Sequence, residues 1–232
     1  MQQESKKHSN YTQGGKVYST PLKSKVDKNR ASFLLSLLIK PEEKIKFAFC
    51  TDLIIENSLY NEDNEHYFYD EYLVEFWTNY NANRKYLYRT VQKHLKMDRK
   101  IIQTCIDKLE LSDSINRSSL IFLSNNLSEN NLYGSRIIKK PDLEALPNLF
   151  SRTNKIKKFK TIEDFEPNES ITVLECTSSD SYIKDVHKYF LNIIEISSNT
   201  YIITDVANIK NKFRKRIHIN DQYYLCYEKE KQ

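Results

Sequence analysis

Glycine is almost absent from this 232-residue sequence, which contains only Gly14, Gly15 and Gly134. The phosphate-binding loops of P-loop and dinucleotide-binding proteins need several glycines at fixed spacing, because their backbone must approach the phosphates closely. The low glycine content therefore predicts that the chain has neither a P-loop fold nor a dinucleotide-binding fold.

Cysteine and long apolar runs are also scarce. The four cysteines are scattered and form no Cys-x-x-Cys pair, which predicts buried, reduced thiols. The longest apolar run, residues 33–39, contains Ser36 and is too short to cross a bilayer. The N-terminus lacks the apolar region of a signal peptide. We therefore expect a nuclear or cytoplasmic protein that is neither secreted nor membrane-spanning.

Recognisable catalytic or metal-binding patterns are missing as well. The five histidines are dispersed and never have the spacing of metal ligands. No cluster of acids and histidine has the regular spacing of a catalytic centre. We predict no catalytic residue, no metal, no cofactor and no small-molecule substrate, and hence a protein that is not an enzyme.

Charge is distributed in blocks along the chain, although the net charge is only +5. Residues 61–83 hold six acids and no Lys or Arg, whereas residues 84–110 hold eight bases and three acids. The second block alone has a net charge of 8 − 3 = +5, which is as large as that of the whole chain. Such a concentration of positive charge favours an anionic partner.

The hydrophobic patterns predict an α+β protein in four parts. Residues 1–30 are expected to form a flexible basic tail and residues 31–125 a helical domain. Residues 126–168 are expected to connect it, with one short helix at 141–150, to a β-rich domain at 169–232. Within the helical part we predict helices at 31–40, 44–60 and 68–80. Ile45, Phe47 and Phe49 also alternate like a strand.

The β-rich part is predicted to contain five short strands. They could form a small OB-like or SH3-like barrel, and such barrels often hold single strands through basic and aromatic loops. A solvated surface or an import signal is the alternative. The predicted strands cover residues 171–176, 186–196, 200–206, 216–219 and 222–227, and the basic candidates for single-stranded DNA are Lys210, Lys212, Arg214, Lys215 and Arg216.

Two closely spaced amphipathic helices are predicted between residues 84 and 109. Leu87, Val91 and Leu95 form one apolar stripe, and Asp98 is a suitable N-cap for the next helix. A tight turn between two such helices is typical of a helix-turn-helix, whose second helix enters the major groove. The second apolar stripe consists of Ile101, Ile102, Cys105, Ile106 and Leu109.

Residues 68–125 resemble winged-helix domains in outline. After the helix pair, residues 112–115 and 119–124 can pair as a hairpin that turns at Asn116 and Arg117 and would form the wing. The turn between the helices lacks glycine and the wing is short, and in both respects the segment departs from that outline.

The resemblance implies a protein that binds DNA without catalysis, in transcription, replication or chromosome maintenance. The other reading is a structural adaptor subunit that uses the same surfaces to dock proteins, so protein partners are expected in either case, and no membrane. The candidate phosphate contacts are Arg89, Lys93, Arg99, Lys100 and Arg117, and the candidate base contacts are Gln103 and Thr104.

Overall fold

A computed structural model of the chain describes residues 21–22, 24, 26–128, 137, 146–151, 154–166, 170–176 and 186–229. The helices in this part of the chain are α1 (Lys28–Leu38), α2 (Ile54–Ser58), α3 (Glu71–Ala82), α4 (Arg84–His94), α5 (Arg99–Ile106), α6 (Ser114–Leu127), α7 (Leu146–Ser151), α8 (Val186–Ile196) and α9 (Ala207–Lys210). The strands are β1 (Ile45–Ala48), β2 (Glu65–Phe68), β3 (Lys160–Thr161), β4 (Ile171–Cys176), β5 (Thr200–Thr204), β6 (Phe213–His218) and β7 (Tyr224–Lys229). The chain is therefore mixed α/β.

All of these strands belong to one mixed sheet, in the order β3-β2-β1-β4-β5-β7-β6. The first five pair in parallel, whereas β7 is antiparallel to both β5 and β6. Strand β1 lies inside the sheet and all four of its residues are buried, as expected for a parallel strand covered on both faces.

Helices cover both faces of the sheet. On one face α1 to α7 share a core that includes Leu35, Phe76 and Leu225. On the other face α8 and α9 share a core that includes Leu174, Phe190 and Ile209. The order β3-β2-β1-β4-β5 is that of doubly wound sheets. The prediction from glycine content concerned the phosphate loop, and the strand order does not test it, because glycine determines that loop and not the order of the strands.

The N-terminal part contains two strands where helices were predicted. Residues 45–48 form β1, so the alternation of Ile45 and Phe47 prevailed over the helical spacing of residues 44–60. Pairing with β2 and β4 satisfies the backbone of β1 on both sides. Phe68 ends β2, and the predicted aromatic helix begins only at Glu71.

The C-terminal part does not confirm the predicted barrel. Strands are confirmed near residues 171–176, 200–206, 216–219 and 222–227, but β4 pairs with β1 and joins the shared sheet. The predicted strand at residues 186–196 is helix α8. Its apolar residues recur at helical spacing, with Phe190, Ile193 and Ile194 buried in the core against β4 and β5, and the β-branched composition concealed this period.

The last residues of the predicted tail pack into the core. Leu22 and Val26 are buried, and α1 begins at Lys28, which is itself buried. Residues 1–20 of that tail lie outside the described residues. The helix predicted at 141–150 is confirmed from Leu146 onward, and residues 141–145 also lie outside the described part. Among the helices that are described, none is both long enough and apolar enough to cross a membrane.

Candidate nucleic-acid interface

Helices α4 and α5 form the predicted pair. The turn of residues 95–98 joins them, and the Asp98 carboxylate accepts a hydrogen bond of 2.7 Å from the backbone N–H of Lys100. This confirms the predicted N-cap. Most of the predicted apolar stripes are buried, namely Leu87, Val91, Ile102, Ile106 and Leu109, whereas Leu95 and Cys105 are half-buried and Ile101 is 50% exposed.

The predicted wing is wrong, because residues 114–127 form helix α6. Asp113 caps this helix by accepting a 2.9 Å hydrogen bond from the N–H of Asn116. Leu120 and Ile121 are buried, and the amide of Asn79 donates to the hydroxyls of Ser114 and Ser118. An aspartate cap followed by an apolar face favours a helix over the hairpin.

Arg117 is therefore a packing residue of α6 and not the tip of a wing. Its Nε and Nη2 atoms lie 2.6 and 3.2 Å from the carboxylate oxygens of Glu75 in α3. Its guanidinium carbon lies 5.2 Å from the centre of the Tyr72 ring. This two-point ion pair leaves Arg117 half-buried and occupied, so we withdraw it as a phosphate contact.

The other four predicted phosphate contacts lie on the surface of α4 and α5. Arg89, Lys93, Arg99 and Lys100 are exposed, and within the described residues no ion pair is recorded for any of them. Lys85, Arg89 and Lys93 are spaced four residues apart and so follow one ridge of α4. These cations are free to contact a polyanion.

The two predicted base contacts differ in their surroundings. Gln103 is half-buried, and its amide donates to Oδ1 of Asp107 at 2.9 Å and accepts from the backbone N–H of Ile137 at 2.9 Å. Both polar atoms of Gln103 are thus engaged within the chain. Thr104 is exposed, and its hydroxyl donates to the carbonyl of Lys100 at 2.9 Å.

The C-terminal basic cluster lies at the opposite edge of the sheet. Lys210 ends α9, Lys212 follows it, and Arg214, Lys215 and Arg216 are exposed on the edge strand β6. Lys215 is paired with Glu228, and the ammonium of Lys210 lies 4.3 Å from the centre of the Tyr224 ring.

This edge and the α4–α5 surface are separate. Helix α3 packs on β2 and β3, and α4 and α6 pack on α3. Strand β6 is the last strand at the other end of the sheet. Strands β3 and β6 are roughly 29 Å apart at about 4.8 Å per strand spacing. The structure thus does not bring the two predicted groups of cations together.

An open pocket lies beside α4 that the sequence analysis did not predict. Its volume is about 530 Å3. Tyr86, 60% exposed, lies on the outer side of the same helix and was also missed. Its position off the stripe of Leu87 and Val91 was the available signal. The residues that line this pocket, here named the α4 pocket, are Asn81, Ala82, Arg84, Lys85, Tyr88, Pro147 and Phe150.

The doubly wound sheet has a second candidate position, at the ends of the neighbouring strands β1 and β4, where the strand order reverses. Sheets of this kind bind ligands beyond the carboxyl ends of their strands at that point. The chain turns sharply after β1, where Phe49 and Leu53 have φ values of 61° and 59°. Glycine favours such values and other residues adopt them at a cost of about 1–2 kcal/mol.

Here the described residues do not fit the phosphate of a nucleotide cofactor. Phe49 and Leu53 are buried, and they carry bulky side chains at the turn where nucleotide-binding proteins have glycines. The ammonium of Lys28 lies 3.6 Å from the Asp52 carboxylate and contacts Glu175. Burial alone would lower the pKa of Lys28, but the neighbouring acids raise it well above its ordinary value. A buried lysine paired with several acids leaves no positive charge for an anion.

One carboxyl group and one thiol near this ion pair also have pKa values above their ordinary ones. Burial raises the pKa of Glu56 and of the Cys50 thiol in the same region. In the part of the chain that is described, no group of three or more His, Cys, Asp or Glu side chains could hold a metal ion. Lys28 and the acids around it therefore form a largely buried polar cluster at the end of β1.

No family model matches the chain, and no curated protein matches it.

Proposed function

We propose that this chain binds nucleic acid without catalysis, and that the exposed cations of α4 and α5 contact DNA phosphates within an apparatus for transcription, replication or chromosome maintenance. The observation that carries the proposal is the exposure of Arg89, Lys93, Arg99 and Lys100 without an ion pair in the described residues. Unpaired cations on a rigid helix pair are what a phosphate backbone requires.

The rigid support of this surface favours the proposal. Helix α4 packs on α3, α6 and α7, and α5 packs on α6. The buried His94 contributes to this support, because its Nδ1 lies 2.8 Å from the hydroxyl of Ser119 in α6. The helix-turn-helix-like arrangement of α4 and α5 thus remains part of the proposal, although α6 takes the place of a wing. The engaged amide of Gln103 favours contact with phosphates over reading of bases.

The test measures affinity for a fluorescent oligonucleotide by anisotropy at several salt concentrations. The double variant Arg99→Glu with Lys100→Glu should abolish binding at moderate salt. The single variants Arg99→Ala and Lys100→Ala should each reduce the salt slope by about 1, because each lost cation removes one phosphate contact. Circular dichroism should show that all of these variants fold.

A matched control exists on the other edge of the sheet. The double variant Arg214→Glu with Arg216→Glu makes the same change in net charge on β6. If α4 and α5 form the interface, this control should retain measurable, salt-sensitive binding. Loss of binding in the β6 variant and retention in the α5 variant would overturn the proposal and identify the edge strand instead.

Docking of a protein is the second candidate function. Ile101 and Leu111 are 50% and 77% exposed, and Ile101 lies beside Arg99 and Lys100 at the start of α5. Apolar side chains among cations are typical of a protein interface. In that case the wild-type chain should bind DNA only weakly and without preference for any sequence or structure, and Ile101→Glu should release a stoichiometric partner in pull-downs.

A further inference from the structure

We propose that the α4 pocket takes one unpaired nucleobase of a bound strand of DNA or RNA. This inference rests on the proposed function, since it identifies what the surface of α4 binds. The pocket lies on the side of α4 that presents Arg84, Lys85 and Tyr88. By helical spacing, the ridge of Lys85, Arg89 and Lys93 begins at its rim.

The size and the walls of the α4 pocket suit a base. Its volume of about 530 Å3 falls within the range of roughly 300–1,000 Å3 that is usual for small-ligand sites. The rings of Tyr88 and Phe150 are 5.4 Å apart between centres, and they give the pocket an aromatic wall. Stacking on aromatic side chains is how proteins hold unpaired bases of any sequence.

The aromatic wall is firmly supported. Phe150 is buried, and its ring centre lies 5.1 Å from that of Phe122 in α6 and 5.8 Å from that of Tyr80 in α3. The hydroxyl of Tyr80 donates a 2.8 Å hydrogen bond to the carbonyl of Leu149. Helix α7 is thereby fixed against α3, so the wall is formed before a ligand binds.

Cations lie where the phosphates of an inserted nucleotide would be. Arg84 is held in place, because its Nε donates to the Tyr80 carbonyl at 3.2 Å and its guanidinium carbon lies 4.6 Å from the Tyr80 ring centre. Lys85 is exposed beside it. A basic groove with an aromatic platform is the arrangement that binds single strands. A paired base within a duplex cannot reach such a pocket, so the occupant must be unpaired.

The experiment uses the full chain and single-stranded oligonucleotides that carry 5-iodouracil, in a DNA and an RNA form. After irradiation, crosslinked peptides are identified by mass spectrometry. We expect crosslinks at Tyr88 or Phe150 with one or both single strands, and none at these residues with the matching duplex. The DNA and RNA arms show which nucleic acid supplies the base.

Ala82 offers a variant that blocks the α4 pocket without removing a contact. It is exposed at the end of α3 and lines the pocket. Ala82→Leu should reduce the crosslinks at Tyr88 and Phe150 at least fivefold and weaken single-strand binding about tenfold, the loss of one stacked base. Ala82→Ser, which leaves the pocket open, should behave like the wild type.

The outcomes separate this inference from the proposed function. If the wild type binds nucleic acid with steep salt dependence but crosslinks elsewhere, or crosslinks equally to a duplex, the pocket is not a base site and the proposed function stands. The same holds if Ala82→Leu folds and binds like the wild type. If the wild type shows no salt-sensitive binding at all, both proposals fail.

Discussion

Lys28 and Asp52 form a buried ion pair at the end of β1, with the ammonium 3.6 Å from Oδ2 and both side chains at most 2% exposed. Glu175 of the neighbouring strand β4 also contacts this ammonium. One lysine thereby compensates several acids inside the protein. The three residues come from positions far apart in the chain and meet only because β1 and β4 are adjacent.

Removal of the lysine should destabilise the fold strongly. Lys28→Met removes the ammonium that faces the buried Asp52 carboxylate at 3.6 Å, and the loss of one partner of a buried ion pair should lower the free energy of unfolding by about 3–5 kcal/mol. Urea denaturation measures this loss. Lys40→Met, at an exposed lysine, is the control and should change the free energy by less than about 0.5 kcal/mol. A loss below about 1 kcal/mol for Lys28→Met would contradict the prediction.

The pair of Glu75 and Arg117 should stabilise the contact between α3 and α6 and contribute nothing to binding. A double-mutant cycle with Glu75→Gln and Arg117→Met should give a coupling energy of about 1 kcal/mol, since the two-point geometry favours a partly buried pair. The more exposed pair of Lys215 and Glu228 should show weaker coupling.

Binding measurements on Arg117→Met complete the test of this pair. Its affinity for nucleic acid should match that of the wild type, in contrast to the Arg99 variant. A fall in salt-dependent affinity as large as that of Arg99→Ala would show that Arg117 contacts phosphate after all.

Gln103 should act in stability and not in sequence recognition. Gln103→Ala removes the acceptor of the N–H of Ile137, a buried residue. We expect the free energy of unfolding to fall by about 1–3 kcal/mol, the usual cost of an unsatisfied buried donor. The ratio of affinities for two unrelated DNA sequences should stay constant, as measured by competition. Thr104→Ala, at an exposed position, should change stability by less than about 0.5 kcal/mol.

The sequence predicted local features that depend on neighbouring residues. The stripe of Leu87 and Val91, the cap at Asp98 and the strand at residues 171–176 are all present. Each follows from a period or a cap within a short segment, and this is the information that a single sequence carries most directly.

Features that depend on distant pairing were missed. Residues 45–48 form a strand because β2 and β4 pair on either side, and neither partner is visible from the four residues themselves. Arg117 was placed at a turn because its partner Glu75 is far away in the sequence. The scarcity of glycine carried no information about the sheet order, since apolar strands and crossover helices determine it.

His66 of β2 has an environment that disfavours its charged form. Its ring stacks on Phe47 at 5.5 Å between centres, and its Nε2 atom is buried without a hydrogen-bond partner in the described residues. Burial lowers the pKa of His66 to about 4. The pKa in the unfolded chain is about 6.5. Between these two values the unfolded chain binds one more proton than the folded protein.

The protein should therefore lose stability as the pH falls from about 6.5 to about 4, because protons favour the unfolded chain in this window. His66→Phe keeps the stacking on Phe47 and removes the proton site. Urea denaturation across this window should show a dependence that is weaker by about 1.4 kcal/mol per pH unit than in the wild type. Burial also lowers the pKa of His94, but that contribution is common to both proteins and cancels in the comparison. Above pH 7 the difference in stability between the two proteins should be constant, and equal slopes below pH 6 would show that His66 is accessible to protons in the folded state.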